Sequence, residues 1–143
     1  MPKQISYWII ISWATVGAFL AAGLLFYIRR CDDRKKLHIA SAALFLAALI
    51  YILFALYAFH PLWIIVEVTG LLLFLLFIWM GYRYSFWFLS MGWLLHIVWD
   101  VGFHPAEAAP YVPQWYAWLC AGFDVVVALS VAVILLREPV EKT

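Results

Sequence analysis

Charge is the scarcest commodity in this sequence. Of 143 residues, nine are Lys or Arg and eight are Asp or Glu, 12% in all, against 69% hydrophobic. Soluble domains carry about 25% charged and about 45–50% apolar residues. So few charges cannot cover the apolar content of such a chain in water, which excludes a soluble globule. Aromatic residues make up 20%, which excludes a disordered chain, since those are poor in aromatics. The net charge of +1 lacks the basic field that nucleic acid requires, so no nucleic-acid partner is expected. Cysteine is nearly absent, and Cys31 and Cys120 make no disulfide framework. What is left is a polytopic membrane protein with a mean hydropathy of +1.00.

The apolar residues number about 99; at about 20 per bilayer-spanning helix they allow roughly five spans. Five apolar segments separate at charged or Pro/Gly breaks: 5–28, 37–59, 62–80, 85–103 and 114–136. Helices are the expected spanning form, because backbone groups in lipid must be satisfied within the segment, and no segment alternates as a barrel strand does. The predicted fold is therefore an all-α, five-helix transmembrane bundle forming one domain. Arg-Arg follows the first segment where a signal peptide would show a small-residue cleavage site, so cleavage is not expected.

Basic residues set the expected orientation. Arg29, Arg30, Arg34, Lys35 and Lys36 fall in the first connection, Arg83 in the third, and Arg137 and Lys142 after the fifth segment. With five spans these share one side and only Lys3 lies opposite. The positive-inside rule then puts the N-terminus outside and the C-terminus in the cytoplasm. The Arg29–Lys36 run also suits contact with anionic lipids. The connection from His104 to Pro113 holds Pro105, Glu107 and Pro110 and reads as a stiff loop, and Tyr111, Trp115, Tyr116 and Trp118 read as an interfacial aromatic belt. Small residues recur at Ala14, Ala18 and Ala22, and at Ala40, Ala43, Ala47 and Ala48. Such stripes allow close helix approach within a bundle or in a homo-oligomer.

Three acids lie inside the apolar segments, Glu67, Asp100 and Asp124, and no basic residue does. Each intramembrane carboxylate costs roughly 2.5–3.5 kcal/mol on insertion scales, so such residues face a bundle interior or a polar cavity. At 1.5 Å per residue, Asp100 lies about 6 Å, Glu67 about 9 Å, His96 about 12 Å and Asp124 about 16 Å from the outer ends of their helices. All four fit one outer-half cluster. His96, Asp100 and His104 are four residues apart in turn and share a helix face, as do Cys120 and Asp124. Imidazole, carboxylate and thiol are potential ligands of a divalent metal such as zinc. The expected metal set is His96, Asp100 and His104, with Glu67 and Asp124 as acid/base groups and Cys120 at the edge. A His and an Asp four apart can equally hydrogen-bond without metal, and His38 and His60 read as boundary residues.

Two strings carry a resemblance. Gly92-Trp93-x-x-His96-x-x-Trp99-Asp100-x-x-x-His104, followed by Pro113-x-Trp115-Tyr116-x-x-x-Cys120-x-x-x-Asp124, resembles a family of small bacterial integral membrane proteins of unknown function. The resemblance implies a bacterial inner-membrane protein and brings no activity with it. A looser similarity, of chemistry alone, is to membrane hydrolases of the ceramidase and adiponectin-receptor type, which arrange His and Asp around zinc; those have seven spans and a His-xxx-His pair, where this chain has Asp100. Three functions are then open: an intramembrane site for a cation or small ligand, with metal-assisted hydrolysis of a lipid-like substrate as its enzymatic form; an oligomeric proton or ion pathway; and a non-catalytic partner subunit with a structural polar network.

Overall fold

The computed structural model describes residues 7–104 and 111–137, with backbone alone for 134–137. Lys3, Pro105, Glu107, Pro110 and Lys142 lie outside the described residues, as does the side chain of Arg137. Five helices follow one another: α1 (Tyr7–Ile28), α2 (Asp33–Tyr57), α3 (Pro61–Arg83), α4 (Trp87–Phe103) and α5 (Gln114–Arg137). No strand occurs among the described residues. Four of the helices, α1, α2, α3 and α5, are long and apolar enough to cross a membrane. The fourth, α4, is 17 residues long, about 26 Å at 1.5 Å per residue and at the lower limit for a span.

Helix α2 starts at Asp33, four residues before the boundary expected from hydropathy. The reason is a cap. The Asp32 carboxylate accepts a hydrogen bond from the Lys35 backbone N–H at 2.8 Å, and Lys36 pairs with Asp33 at 2.7 Å within the first turn. A cut made where charge begins therefore removes a turn of helix whose charged residues serve its N-terminus. The other end of α2 closes with the Phe59 N–H on Leu56 O and the His60 N–H on Ala55 O. That is a Schellman closure, and it puts Phe59 at φ 51, the left-handed region where glycine is usual. Pro61 then opens α3 at a position that needs no N–H.

The helices pack in the order α1–α5–α4–α3–α2, with a further contact of α2 on α4 and on α1. The α1–α5 seam is the closest. A Cβ at Gly17 would overlap the Leu119 carbonyl, and one at Gly122 would overlap the Ala14 carbonyl. Of the expected stripe, Ala14 lies in this seam with its backbone against Gly122, Ala18 is half-buried and Ala22 is exposed, while Gly17 and Ala21 are buried. The seam is Gly17 against Leu119 and Phe123, and Gly122 against Ala14. On α2, Ala40 and Ala48 are buried and Ala43 and Ala47 half-buried.

Two apolar clusters fill the interior. One contains Leu44, Ala48, Phe74, Leu89, Trp93 and Val127 and lies toward the basic end of the bundle, where Arg29–Lys36 and Arg83 sit. The other contains Tyr51, Val112, Tyr116 and Cys120 and lies toward the opposite end, at the His60 turn. Buried titratable side chains occupy the junction between the two.

Candidate metal centre

The described residues include seven buried polar side chains: Ser41, Glu67, Ser90, His96, Asp100, His104 and Asp124. The last turns of α4 present His96, Asp100 and His104 inward, as the helical period requires. They separate into two groups.

The outer group centres on Glu67 of α3. Its Oε1 accepts from the Tyr111 hydroxyl at 2.6 Å and from His104 Nε2 at 2.7 Å. Its Oε2 accepts from the Trp99 indole N–H at 3.2 Å. The Trp99 ring is fixed by Gly70, where a Cβ would come within 2.5 Å of it. His104 Nδ1 faces the Trp99 carbonyl at 3.2 Å. A carbonyl can only accept, so His104 donates from Nδ1. Both imidazole nitrogens thus have a partner. Glu67 and His104 thus form a close pair in which both carboxylate oxygens have partners. Tyr111 stands just before α5, and its phenol is pushed well above its ordinary range by burial first and by Glu67 second.

The inner group comprises His96, Asp100 and Asp124. His96 Nδ1 meets Asp124 Oδ2 at 2.7 Å and stands 3.5 Å from Asp100 Oδ2. One ligand atom from each residue falls within 4.8 Å of the others, and all three residues are buried. The imidazole is boxed by the rings of Tyr51, Phe74 and Trp93. Four polar atoms of this group have no hydrogen-bond partner: His96 Nε2, both Asp100 oxygens and Asp124 Oδ1. The Tyr51 hydroxyl, whose electrostatic neighbours include Asp100 and Cys120, is a fifth. An unsatisfied buried polar atom costs about 1–3 kcal/mol, more if charged, so five in one place describe a site built for something else. Charge balance points the same way. His96 can neutralise one aspartate, and the other is left over.

The structure regroups the sequence-predicted residues. His104 belongs to Glu67 and not to the set of His96 and Asp100. Asp124, expected as an acid/base group, takes its place beside them. Glu67, with three donors on its carboxylate, holds no lone pair aimed at the inner group. Cys120 is buried, in the apolar cluster above the site with Tyr51, Tyr116 and Val112. Sequence reasoning passed over Tyr51, whose ring stacks on His104 at 4.3 Å and meets His96 edge-on at 5.9 Å. Tyr111, read from the sequence as interfacial, instead reaches Glu67, while His38 is exposed, as a boundary residue would be, with its Nδ1 2.7 Å from the Tyr82 hydroxyl. A hydroxyl in the middle of an apolar run was the available signal for Tyr51.

Comparison of the chain with protein-family models, with curated proteins and with solved structures finds no match.

Proposed function

We propose that this chain is a five-span integral membrane protein whose His96–Asp100–Asp124 centre binds a divalent metal ion within the bundle. The observation that carries the reading is the convergence of four unpartnered polar atoms in a buried three-residue group with one carboxylate too many for its imidazole. A borderline cation such as zinc suits imidazole with carboxylate. Three protein ligands leave a coordination position for water or substrate, the arrangement used in metal-assisted hydrolysis, and this supports the hydrolase of a lipid-like substrate as the enzymatic form. Glu67, with three hydrogen-bond partners of its own, stands outside this group in the proposal.

A proton or ion pathway is less well supported. Toward the basic end the interior is closed by Leu44, Phe74, Leu89, Trp93 and Val127. The buried polar side chains described in that half are Ser41 and Ser90, and Ser90 donates to the Ala128 carbonyl. The site thus faces the His60 end. In the proposed topology that end is outside, the N-terminus is outside, the C-terminus is cytoplasmic, and the membrane is a bacterial inner membrane whose anionic lipids meet the Arg29–Lys36 run.

The test is metal content of the purified protein, stripped with chelator and reloaded with zinc or manganese. One equivalent is expected in the wild type and in Glu67→Gln, and little in His96→Ala, Asp100→Ala or Asp124→Ala. A wild type that retains no stoichiometric metal from any divalent salt overturns the reading.

A further inference from the structure

Resting on that metal-site reading, the structure points to its regulation: we infer that the Tyr111–Glu67 hydrogen bond is a latch that holds the centre closed at the His60 end and sets the rate of ion exchange. The route to the centre is one-sided, because the large apolar cluster lies across the basic side. On the other side the centre is roofed by Tyr51, Tyr116, Val112 and Cys120, with His104 stacked on Tyr51. Most of this roof is built into α2, α4 and α5 and cannot leave without unwinding or shifting a helix. Tyr111 and Val112 differ. They precede α5 and lie outside any helix, so their displacement breaks no helical ladder.

Yet both are held down. Val112 is 4% exposed. The Tyr111 ring packs on Trp63 at 5.4 Å and meets the His104 ring edge-on at 6.3 Å. Its hydroxyl makes the 2.6 Å bond to Glu67 Oε1, and this is the one side-chain hydrogen bond described for the segment. The anchor is firm because Glu67 is fixed twice more, by His104 and Trp99. Releasing one phenol from one carboxylate therefore uncovers the part of the roof that can move. The three partners of Glu67 gain a purpose in this arrangement: they keep the carboxylate aimed at the latch, and away from the centre.

A latch has a signature that a ligand does not. It changes access equally in both directions, so association and dissociation rates rise together and the equilibrium constant stays put. The experiment loads purified protein with zinc and follows release into excess EDTA, and uptake, with a chromophoric zinc indicator by stopped flow. Tyr111→Phe keeps the ring and deletes the bond. A hydrogen bond to a charged group, at about 1.5–3 kcal/mol, corresponds to release about 10-fold faster or more, with uptake raised by the same factor and Kd unchanged within about two-fold. Glu67→Gln keeps an acceptor without the charge and is expected to fall between wild type and Tyr111→Phe, so that it serves if the latter does not fold. Zinc-loaded wild type with both variants exchanging at the wild-type rate overturns the latch and leaves the metal site standing. A Tyr111→Phe protein with weakened Kd and unchanged uptake also overturns it, by making Tyr111 part of the binding itself. A wild type that binds no zinc overturns the metal site and the latch with it.

Discussion

Asp100 and Asp124 are alike in sequence context and burial, yet their neutral variants should move stability in opposite directions in metal-free protein. Asp124 Oδ2 holds the 2.7 Å bond to His96. Asp124→Asn weakens that charge-assisted bond, and a loss of about 1.5–3 kcal/mol is expected. Asp100 makes no hydrogen bond with either oxygen, and the imidazole that stands 3.5 Å away is committed to Asp124. Asp100→Asn replaces the carboxylate that lies farther from the one imidazole the two aspartates share, and a gain of about 1–3 kcal/mol follows, since a buried carboxylate short of compensation is costly. Zinc reverses the order. At 100 times its Kd, a bound ion stabilises the wild type by about 2.7 kcal/mol, while Asp100→Asn, lacking a ligand, gains little. The assay is thermal unfolding of the three proteins in one detergent, followed by tryptophan fluorescence, with EDTA and with zinc. If Asp100→Asn destabilises the EDTA-treated protein as Asp124→Asn does, or if zinc raises both wild type and Asp100→Asn equally, then Asp100 is a packing element and the reasoning from unpartnered atoms fails.

Three further outcomes follow from the fold. Gly17→Leu or Gly122→Leu forces α1 off α5 by overlap with a backbone carbonyl, and a destabilisation of about 3 kcal/mol or more is expected; Gly23→Leu, at a position with open space around it, serves as the control and should be near neutral in the same melting assay. Phe59→Gly relieves the left-handed residue at φ 51 and should stabilise by about 0.5–1 kcal/mol; a lower melting temperature would show that the exposed ring contributes more than its backbone costs. The Asp32 carboxyl is held below its ordinary range, chiefly by the Lys35 N–H. Its folded pKa is depressed, so the cap's contribution is full above about pH 4, the ordinary Asp value, and is lost as pH falls through the lowered one. The protection of the Lys35 amide, after division by its intrinsic exchange rate at each pH, should fall on acidification, and Asp32→Ala should abolish that fall.

The class of the protein was legible because it depends on composition and on run length, which no packing detail can override. Likewise His96 and Asp100 share a face of α4 by helical period alone. Their partners were not legible. Whether His104 turns to Glu67 or to Asp100 depends on α4 ending at Phe103, which leaves His104 at φ −114 and ψ 39, outside the helical face that the spacing assumed. Asp124 joined His96 through the rotation of α5, which is fixed where Gly122 and Gly17 bring α5 against α1, and Gly17 is far along the chain from the site. The alanine stripe marked the contact only at Ala14, which meets Gly122, while the other close approach is made by Gly17, which the alanine spacing does not include. The start of α2 was readable in principle, since Asp32 ahead of a helix is an ordinary cap, but hydropathy alone hides it.

The glycine seam also has a consequence for the order in which the molecule is made. During synthesis α1 enters the membrane first, and its principal partner, α5, arrives after every other helix. Until then α1 stands in lipid with its Gly17 face bare. The same late helix carries Asp124 into the centre beside His96. Assembly of the seam and completion of the site are therefore a single event, and a nascent chain stalled before α5 would expose both at once to whatever surveys unfinished proteins in the membrane.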